Sequence, residues 1–470
     1  MGRAANARGN PKRLRGRALT SAAPATSCVQ GQTRASLARP LRNGESAIVN
    51  GVLYHLHEYN RALLSPVITL AKAGADMFSA PGSWLAQLPG ANRVAAAYEL
   101  LYRMGKDYEK PAWGIQDVDV GRRLDGIKVP VVEQTVLTKP FCRLLHFERH
   151  SNDAAVAAAL KHDPVVLVVA PLSGHHATLL RDTVRTMLSD HDVYVTDWID
   201  ARMVPATAGP FSLDDYVGYV REQIRHIGAE RVHVIAVCQP AVPVLAAAAL
   251  MATAGEVQPR SLTLMGGSID ARCSRTPVTD FASNHSLQWF RTHLIHDVPA
   301  VYPGHGRKVY PGFMQHAGFM AMNPVRHWSS HWDFYMHLVD GDLESAEEHR
   351  RFYDEYNAVL DMPGEYYLDC IRVVFHEHLL PRGLWTIAGT RVAPEAITRP
   401  ALLTIEGEHD DISGPNQTRA ALDLCAGIPA ARKHQMTVEG AGHYGIFSGR
   451  RWRQSVYPRL RDFIAEANAS

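Results

Sequence analysis

Two hydrophobic patterns alternate along this chain. Short apolar runs with β-branched residues, bounded by Gly, Pro or acidic turns, occur at 131–136, 142–147, 164–174 (PVVLVVAPLSG), 193–198, 232–237 (VHVIAV), 262–267, 401–410 (ALLTIEGEHD) and 434–443 (HQMTVEGAGH). Runs of that length and composition predict strands. Between several of them the apolar residues recur every three or four positions. Ser212 and Asp215 form a box-like helix start, and Val217, Val220, Ile224 and Ile227 then share one face until Gly228 ends it. The alternation predicts a mostly parallel sheet with helices on both faces. A helical stretch at 57–104 precedes it. From 268 to 398 the residues turn aromatic, His-rich and helical, with Ser345 and Glu348 as an expected capping box and Phe352, Tyr356 and Val359 spaced helically after it. This segment reads as a cap inserted at the carboxyl edge of the sheet. The expected divisions are a disordered basic tail (1–51), the first part of the core with its N-terminal helices (52–267), the cap (268–398) and the rest of the core (399–470).

Composition sharpens this. The chain has 470 residues, 46% of them hydrophobic, enough to bury a large core. Its formal charge of +2 hides an asymmetry: residues 1–44 hold nine basic residues and no acid, which leaves 40 basic against 47 acidic residues in the body. The tail lacks the apolar periodicity that would offset the entropy of ordering it. It fits an arm for nucleic acid or an anionic surface, an organelle-targeting segment, or residues upstream of a true start near Val52. The longest apolar helical stretch, eleven residues from Val244, is short of the roughly 20 a membrane span needs. Six scattered cysteines without a CxxC pair fit a reducing cytoplasm.

The chemistry concentrates at strand ends. AVCQPAVP follows the strand at 232–237 and presents Cys238 where a strand-to-helix elbow of the G-x-S-x-G type holds its nucleophile, with Ala236 and Pro240 in the flanking glycine places. Pro240 and Pro243 fall in or near the first turn of the following helix, where a missing N–H costs little. Gln239 keeps its N–H, one expected oxyanion donor. Asp410 ends one later strand segment and His443 follows the next, in the order nucleophile, acid, histidine; Asp411 is the alternative acid. A thiol needs a base, and the base needs an acceptor that fixes its tautomer. The second oxyanion donor is expected at Leu172, with Ser173 next, and His175 and His176 lie at the same rim. The His376, Glu377, His378 triplet lacks metal-ligand spacing, so no metal is expected, and no phosphate loop or dinucleotide fingerprint accompanies Gly266 and Gly267. Trp289, Phe290, Phe313, Phe319, Trp328 and Trp332 are expected in the core by default, although collectively, with Met314, Met320 and Met322, they suit a cleft for an apolar chain.

The segments LYHLHEYNRALLSP, APLSGHHATLLRDTV, DWIDARMVP, AVCQPAVP, EGEHDDISGPNQT and EGAGHYGIFSGRRWR together resemble the intracellular poly(3-hydroxybutyrate) depolymerases of bacteria, from about Val52 to the last helix. The resemblance implies an α/β-hydrolase fold and a triad of Cys238, Asp410 and His443. It also implies hydrolysis of amorphous polyester in cytoplasmic granules to 3-hydroxybutyrate oligomers and monomer, without a cofactor. No nucleic acid partner is expected, and a homodimer is an open expectation. Polyhydroxyalkanoate synthases are similar too and imply CoA-dependent acyl transfer, but AVCQP lacks both flanking glycines of their elbow. A non-catalytic granule scaffold is the third reading.

Overall fold

A computed structural model of the chain describes residues 43–120, 126–322 and 324–469, with side-chain surroundings from Val52 onward. Residues 1–42 of the basic tail lie outside the described residues. Helix α1 (Asn43–Ser79) begins before the boundary expected at residue 51 and carries Pro66 within it. The stretch expected as helical over 57–104 is two helices, α1 and α2 (Ala91–Gly105). The break between them holds Pro81, Gly82, Pro89 and Gly90, residues that interrupt a helix.

Among the described residues, nine strands form one sheet: β1 (Asp117–Val120), β2 (Ile127–Thr138), β3 (Cys142–Arg149), β4 (Val165–Val169), β5 (Asp192–Trp198), β6 (Val232–Val237), β7 (Ser261–Met265), β8 (Ala401–Gly407) and β9 (Lys433–Val438). Their spatial order is β1-β2-β3-β5-β4-β6-β7-β8-β9. Pairing is antiparallel from β1 to β5 and parallel from β5 to β9. Every residue of β4, β6, β7 and β8 is buried, as parallel strands covered on both faces require. This strand order, with helical crossovers and an antiparallel flank, is the α/β-hydrolase architecture.

Helix α3 (Leu213–Ile227) starts at the expected box: Ser212 Oγ accepts from Asp215 N, and Asp215 Oδ2 accepts from Ser212 N. Helix α4 (Ala241–Thr253) leaves the elbow after β6 and is apolar and buried on all sides through Met251. A helix without a polar stripe belongs inside a core.

Between β7 and β8 the chain makes a mainly helical excursion that includes α5 (Gly312–Met322), α6 (Pro324–Asp340), α7 (Leu343–Tyr356) and α8 (Gly364–Cys370). The capping box expected at Ser345 and Glu348 is not the helix start. Asp342 caps α7 by accepting from Ser345 N at 3.1 Å, so Ser345 already lies in the first turn. The excursion is anchored to α1 and to the loop after β5. Tyr54 Oη donates to Asp361 Oδ2 at 2.6 Å, Asp361 N donates to Asp200 Oδ1 at 3.1 Å, and Arg202 Nε sits 2.9 Å from Asp200 Oδ2. Helix α9 (Tyr457–Ala469) closes the chain.

Candidate active site

Each candidate residue stands just past the carboxyl end of a strand. Cys238 follows β6 with φ of +68°, a left-handed conformation that a residue with a Cβ rarely adopts. Such strain persists only when its surroundings enforce it, and it is the backbone signature of a nucleophile elbow. Here Cys238 N donates to Met265 O at 2.7 Å, and Cys238 O accepts from Ala241 N at 3.1 Å in the first turn of α4. The turn therefore lifts a partly exposed thiol off the sheet.

Asp410 lies beyond β8. Its Oδ1 accepts from Ile412 N at 2.9 Å and from Ser413 N at 2.8 Å, and its Oδ2 lies 2.8 Å from His443 Nδ1. One carboxylate oxygen is thus fixed by the backbone while the other fixes the imidazole. The neighbouring Asp411 is exposed and makes neither contact. His443 follows β9 and is buried between the Tyr444 and Phe447 rings, each edge-on at 5.7 Å. Burial alone would lower the basicity of its ring, but the charge and side-chain hydrogen bonding of Cys238 and Asp410 outweigh it and hold His443 up to about 10. Asp410 and His443, expected from separate strands, therefore meet, and Cys238 is near enough to act on the His443 ring.

Two glycines that the sequence reading set aside make room for this meeting. Gly266, at φ +58°, lies under the His443 ring: a Cβ there would come within 3.1 Å of His443 Cε1 and 2.9 Å of Ile446 Cδ1. A Cβ on Gly267 would come within 2.2 Å of Ala241 Cβ and 2.7 Å of Cys238 O. The signal was a Gly-Gly pair at the end of a strand beside the nucleophile strand, a place where backbone must approach closely.

The oxyanion side differs from expectation in one respect. Leu172, buried after β4, does not present an idle amide; its N–H donates to Gln239 Oε1 at 3.2 Å. The N–H groups of Gln239 and Ser173 have no protein acceptor among the described residues. The loop itself is stitched to the helical excursion. Leu360 N donates to Gly174 O at 2.7 Å, and His175 bridges to Val359, lies 3.1 Å through Nε2 from Tyr356 O and stacks on Phe319 at 4.8 Å. Burial lowers His175 to about 4 and His176 to about 3, so both rings are neutral near pH 7.

The aromatic residues of the excursion divide. Phe290 is buried as expected, and Phe313 stacks on His57 at 3.9 Å. Trp328 and Trp332, expected in the core by default, are exposed at 74% and 56%, one turn apart on α6 with Val325 beside them. Phe352 stacks on Tyr356 at 5.4 Å, and Tyr356 lies 6.5 Å from Tyr444, next to the catalytic candidate His443. His376 and His378 turn to the backbone carbonyls of Ala282 and Val374.

Residues 266–468 match the family model described as the PHB de-polymerase C-terminus, a span that contains Asp410 and His443. No curated protein matches the chain. Solved structures similar to it include a putative lipase of Acinetobacter baumannii AYE (11% identity, 72% of this chain and 93% of that one, TM-score 0.40). Others are the 2-hydroxy-6-oxo-6-phenylhexa-2,4-dienoate hydrolase of Rhodococcus sp. strain RHA1 (15%, 72% and 99%, 0.38) and a monoacylglycerol lipase of Paleococcus ferrophilus (13%, 65% and 96%, 0.38). Among the described residues no helix is long and apolar enough to cross a membrane. With the strand order above, residues 266–468 thus carry the PHB de-polymerase C-terminus domain on an α/β-hydrolase sheet, which supports a carboxylic ester hydrolase of the PHB depolymerase type.

Proposed function

We propose that this enzyme cleaves amorphous poly(3-hydroxybutyrate) held in cytoplasmic granules, using Cys238 as nucleophile, His443 as acid and base, and Asp410 as the group that orients His443. The observation that carries the reading is the left-handed elbow at Cys238 beside an imidazole whose far nitrogen faces a buried, backbone-held carboxylate. In the first half-reaction His443 takes the thiol proton of Cys238, the thiolate attacks the ester carbonyl carbon, and a C–S bond forms as the carbonyl oxygen becomes an oxyanion. The Gln239 N–H and an amide of the 172–173 loop hold that charge. Collapse breaks the ester C–O bond, and the leaving alkoxide takes a proton from His443. His443 then removes a proton from water, the hydroxide attacks the thioester, and Cys238 departs as thiolate with the acid product released. Each step in this reading draws on Cys238, His443 and Asp410 and on no cofactor.

The helical excursion acts as a lid over the carboxyl ends of the strands in this reading. Its exposed Trp328 and Trp332, with the Phe352, Tyr356 and Tyr444 rings leading inward to His443, suit a water-insoluble polymer that must be held beside the site. The test is acid release from amorphous poly(3-hydroxybutyrate) granules by the parent enzyme and by Cys238→Ala, Asp410→Ala and His443→Ala, each with and without CoA. Release by the parent without CoA, lost in all three variants, is the expected result. Release that starts only when CoA is supplied points to acyl transfer, and granule binding without any release points to a scaffold.

A further inference from the structure

In the loop after β4 the Leu172 N–H makes a hydrogen bond that the loop's own backbone does not supply, to Gln239 Oε1. Gln239 directly follows the nucleophile. Its backbone N–H, without a protein acceptor among the described residues, is an oxyanion donor in the proposed reading, while its side-chain oxygen accepts from the other proposed donor, Leu172 N, at 3.2 Å. A carboxamide oxygen and an ester carbonyl oxygen are the same kind of acceptor, and one N–H cannot serve both at full strength.

A clamp is the plainest alternative, with Gln239 simply holding the loop in place. The loop does not need one. Leu360 N to Gly174 O, the His175 bridge to Val359, the His175 ring bond to Tyr356 O and the stack on Phe319 already fix it from the other side. Gln239 itself is held weakly. It is half-buried, and among the described residues its Nε2 finds only the Cys370 sulfur at 4.0 Å, at the end of α8. Thiols are poor acceptors, so a single bond to Leu172 keeps the side chain where it is.

We infer that the Gln239 side chain is a placeholder: it occupies the Leu172 N–H while the site is empty and swings off when the ester carbonyl arrives. The inference rests on Cys238 being the nucleophile and deepens that reading. Gln239 is thereby a positioning residue through its side chain, separate from the service of its backbone amide. The placeholder keeps a buried donor satisfied in the resting enzyme, where an unpaired one is costly. It also means that substrate competes with an internal acceptor, so its removal appears in KM before kcat. Because α8 belongs to the excursion, the contact with Cys370 links the placeholder to that segment.

The test compares Gln239→Met and Gln239→Glu with the parent on p-nitrophenyl butyrate, a soluble ester, with melting temperatures to confirm folding. Methionine keeps the length and removes the acceptor, so kcat/KM should rise about fivefold, mainly through a lower KM, roughly the worth of one neutral hydrogen bond. Glutamate supplies a charged and stronger acceptor, so kcat/KM should fall about tenfold at neutral pH. Protonation of that carboxyl should bring the ratio of variant to parent back toward one as pH falls, a trend that a purely structural role does not produce. A lower kcat in Gln239→Met, with a pH-independent ratio for Gln239→Glu, overturns the placeholder and makes the side chain a clamp. Cys238→Ala, assayed alongside, separates the two levels: activity surviving there removes the triad and the placeholder together, whereas activity lost there with a slower Gln239→Met removes the placeholder alone.

Discussion

Gly266→Ala is a demanding probe of the site because the glycine touches no substrate and holds no proton. Its φ of +58° already disfavours alanine, by about 1–2 kcal/mol for a left-handed residue with a Cβ. The new methyl would then meet Ile446 Cδ1 at 2.9 Å and His443 Cε1 and Nδ1 at 3.1 and 3.3 Å, closer than ordinary contacts, and overpacking of this kind costs about 1–3 kcal/mol. The expected loss of stability is therefore about 2–5 kcal/mol by urea unfolding. Relief of the contact pushes the imidazole away from β7 by a few tenths of an ångström, so kcat/KM on a soluble ester should fall by about 10–100-fold. Gly341→Ala is the control: its φ is +77° but nothing lies within 4 Å of the added Cβ, so it should lose about 1–2 kcal/mol and keep its activity. If Gly266→Ala unfolds no more easily than Gly341→Ala and hydrolyses as fast as the parent, the packing of His443 over Gly266 is wrong.

Three further outcomes follow from the same geometry. Asp410→Asn should cut kcat/KM by roughly a thousandfold, because an amide nitrogen facing Nδ1 favours the wrong tautomer. That substitution should also change how stability varies with pH. His443 is held above its ordinary value, up to about 10, so the stabilisation it contributes is fully present below about pH 6.5 and is lost as pH rises through 10; unfolding curves from pH 6 to 10 should flatten in the variant. Asp200 behaves in the opposite sense to an ordinary carboxylate. Burial first, and then the nearby Asp361, push it up to about 7 despite Arg202, so the folded state binds a proton that the unfolded state has released and stability falls as pH rises from about 4 to 7. Asp200→Asn should remove that slope, and an unchanged slope would disprove the assignment. Trp328→Ser with Trp332→Ser should slow acid release from granules severalfold while leaving hydrolysis of p-nitrophenyl butyrate unchanged; equal losses on both substrates would show that the two rings act on folding rather than on polymer contact.

Much of the architecture was legible because burial on both faces leaves a plain trace. VHVIAV was read at the bounds β6 adopts, and β3, β4, β5, β7, β8 and β9 lie within a few residues of their apolar runs. Strand β1 escaped notice, since DVDV alternates acids with valines and only the valines are buried. The cap of α7 was misplaced because Asp342 and Ser345 both have capping chemistry and only the turn at Gly341 decides between them. At the site, Cys238, Asp410 and His443 could be proposed from strand ends in chain order. The positions of Gly266 and Gly267 beneath them, and the return of the Gln239 side chain to Leu172, depend on contacts between elements far apart in sequence. Trp328 and Trp332 show the limit of composition: apolar type alone does not say which face of a helix meets water.

The most direct measurement is acid quenching of the enzyme within the first turnovers of a 3-hydroxybutyrate oligomer, followed by mass spectrometry of the peptide that contains Cys238. The account predicts a 3-hydroxybutyryl adduct on that peptide that hydroxylamine removes, as it does a thioester, and that is absent from Cys238→Ala. Hydrolysis that proceeds at the parent rate in Cys238→Ala, or an acyl group found on another residue, contradicts it.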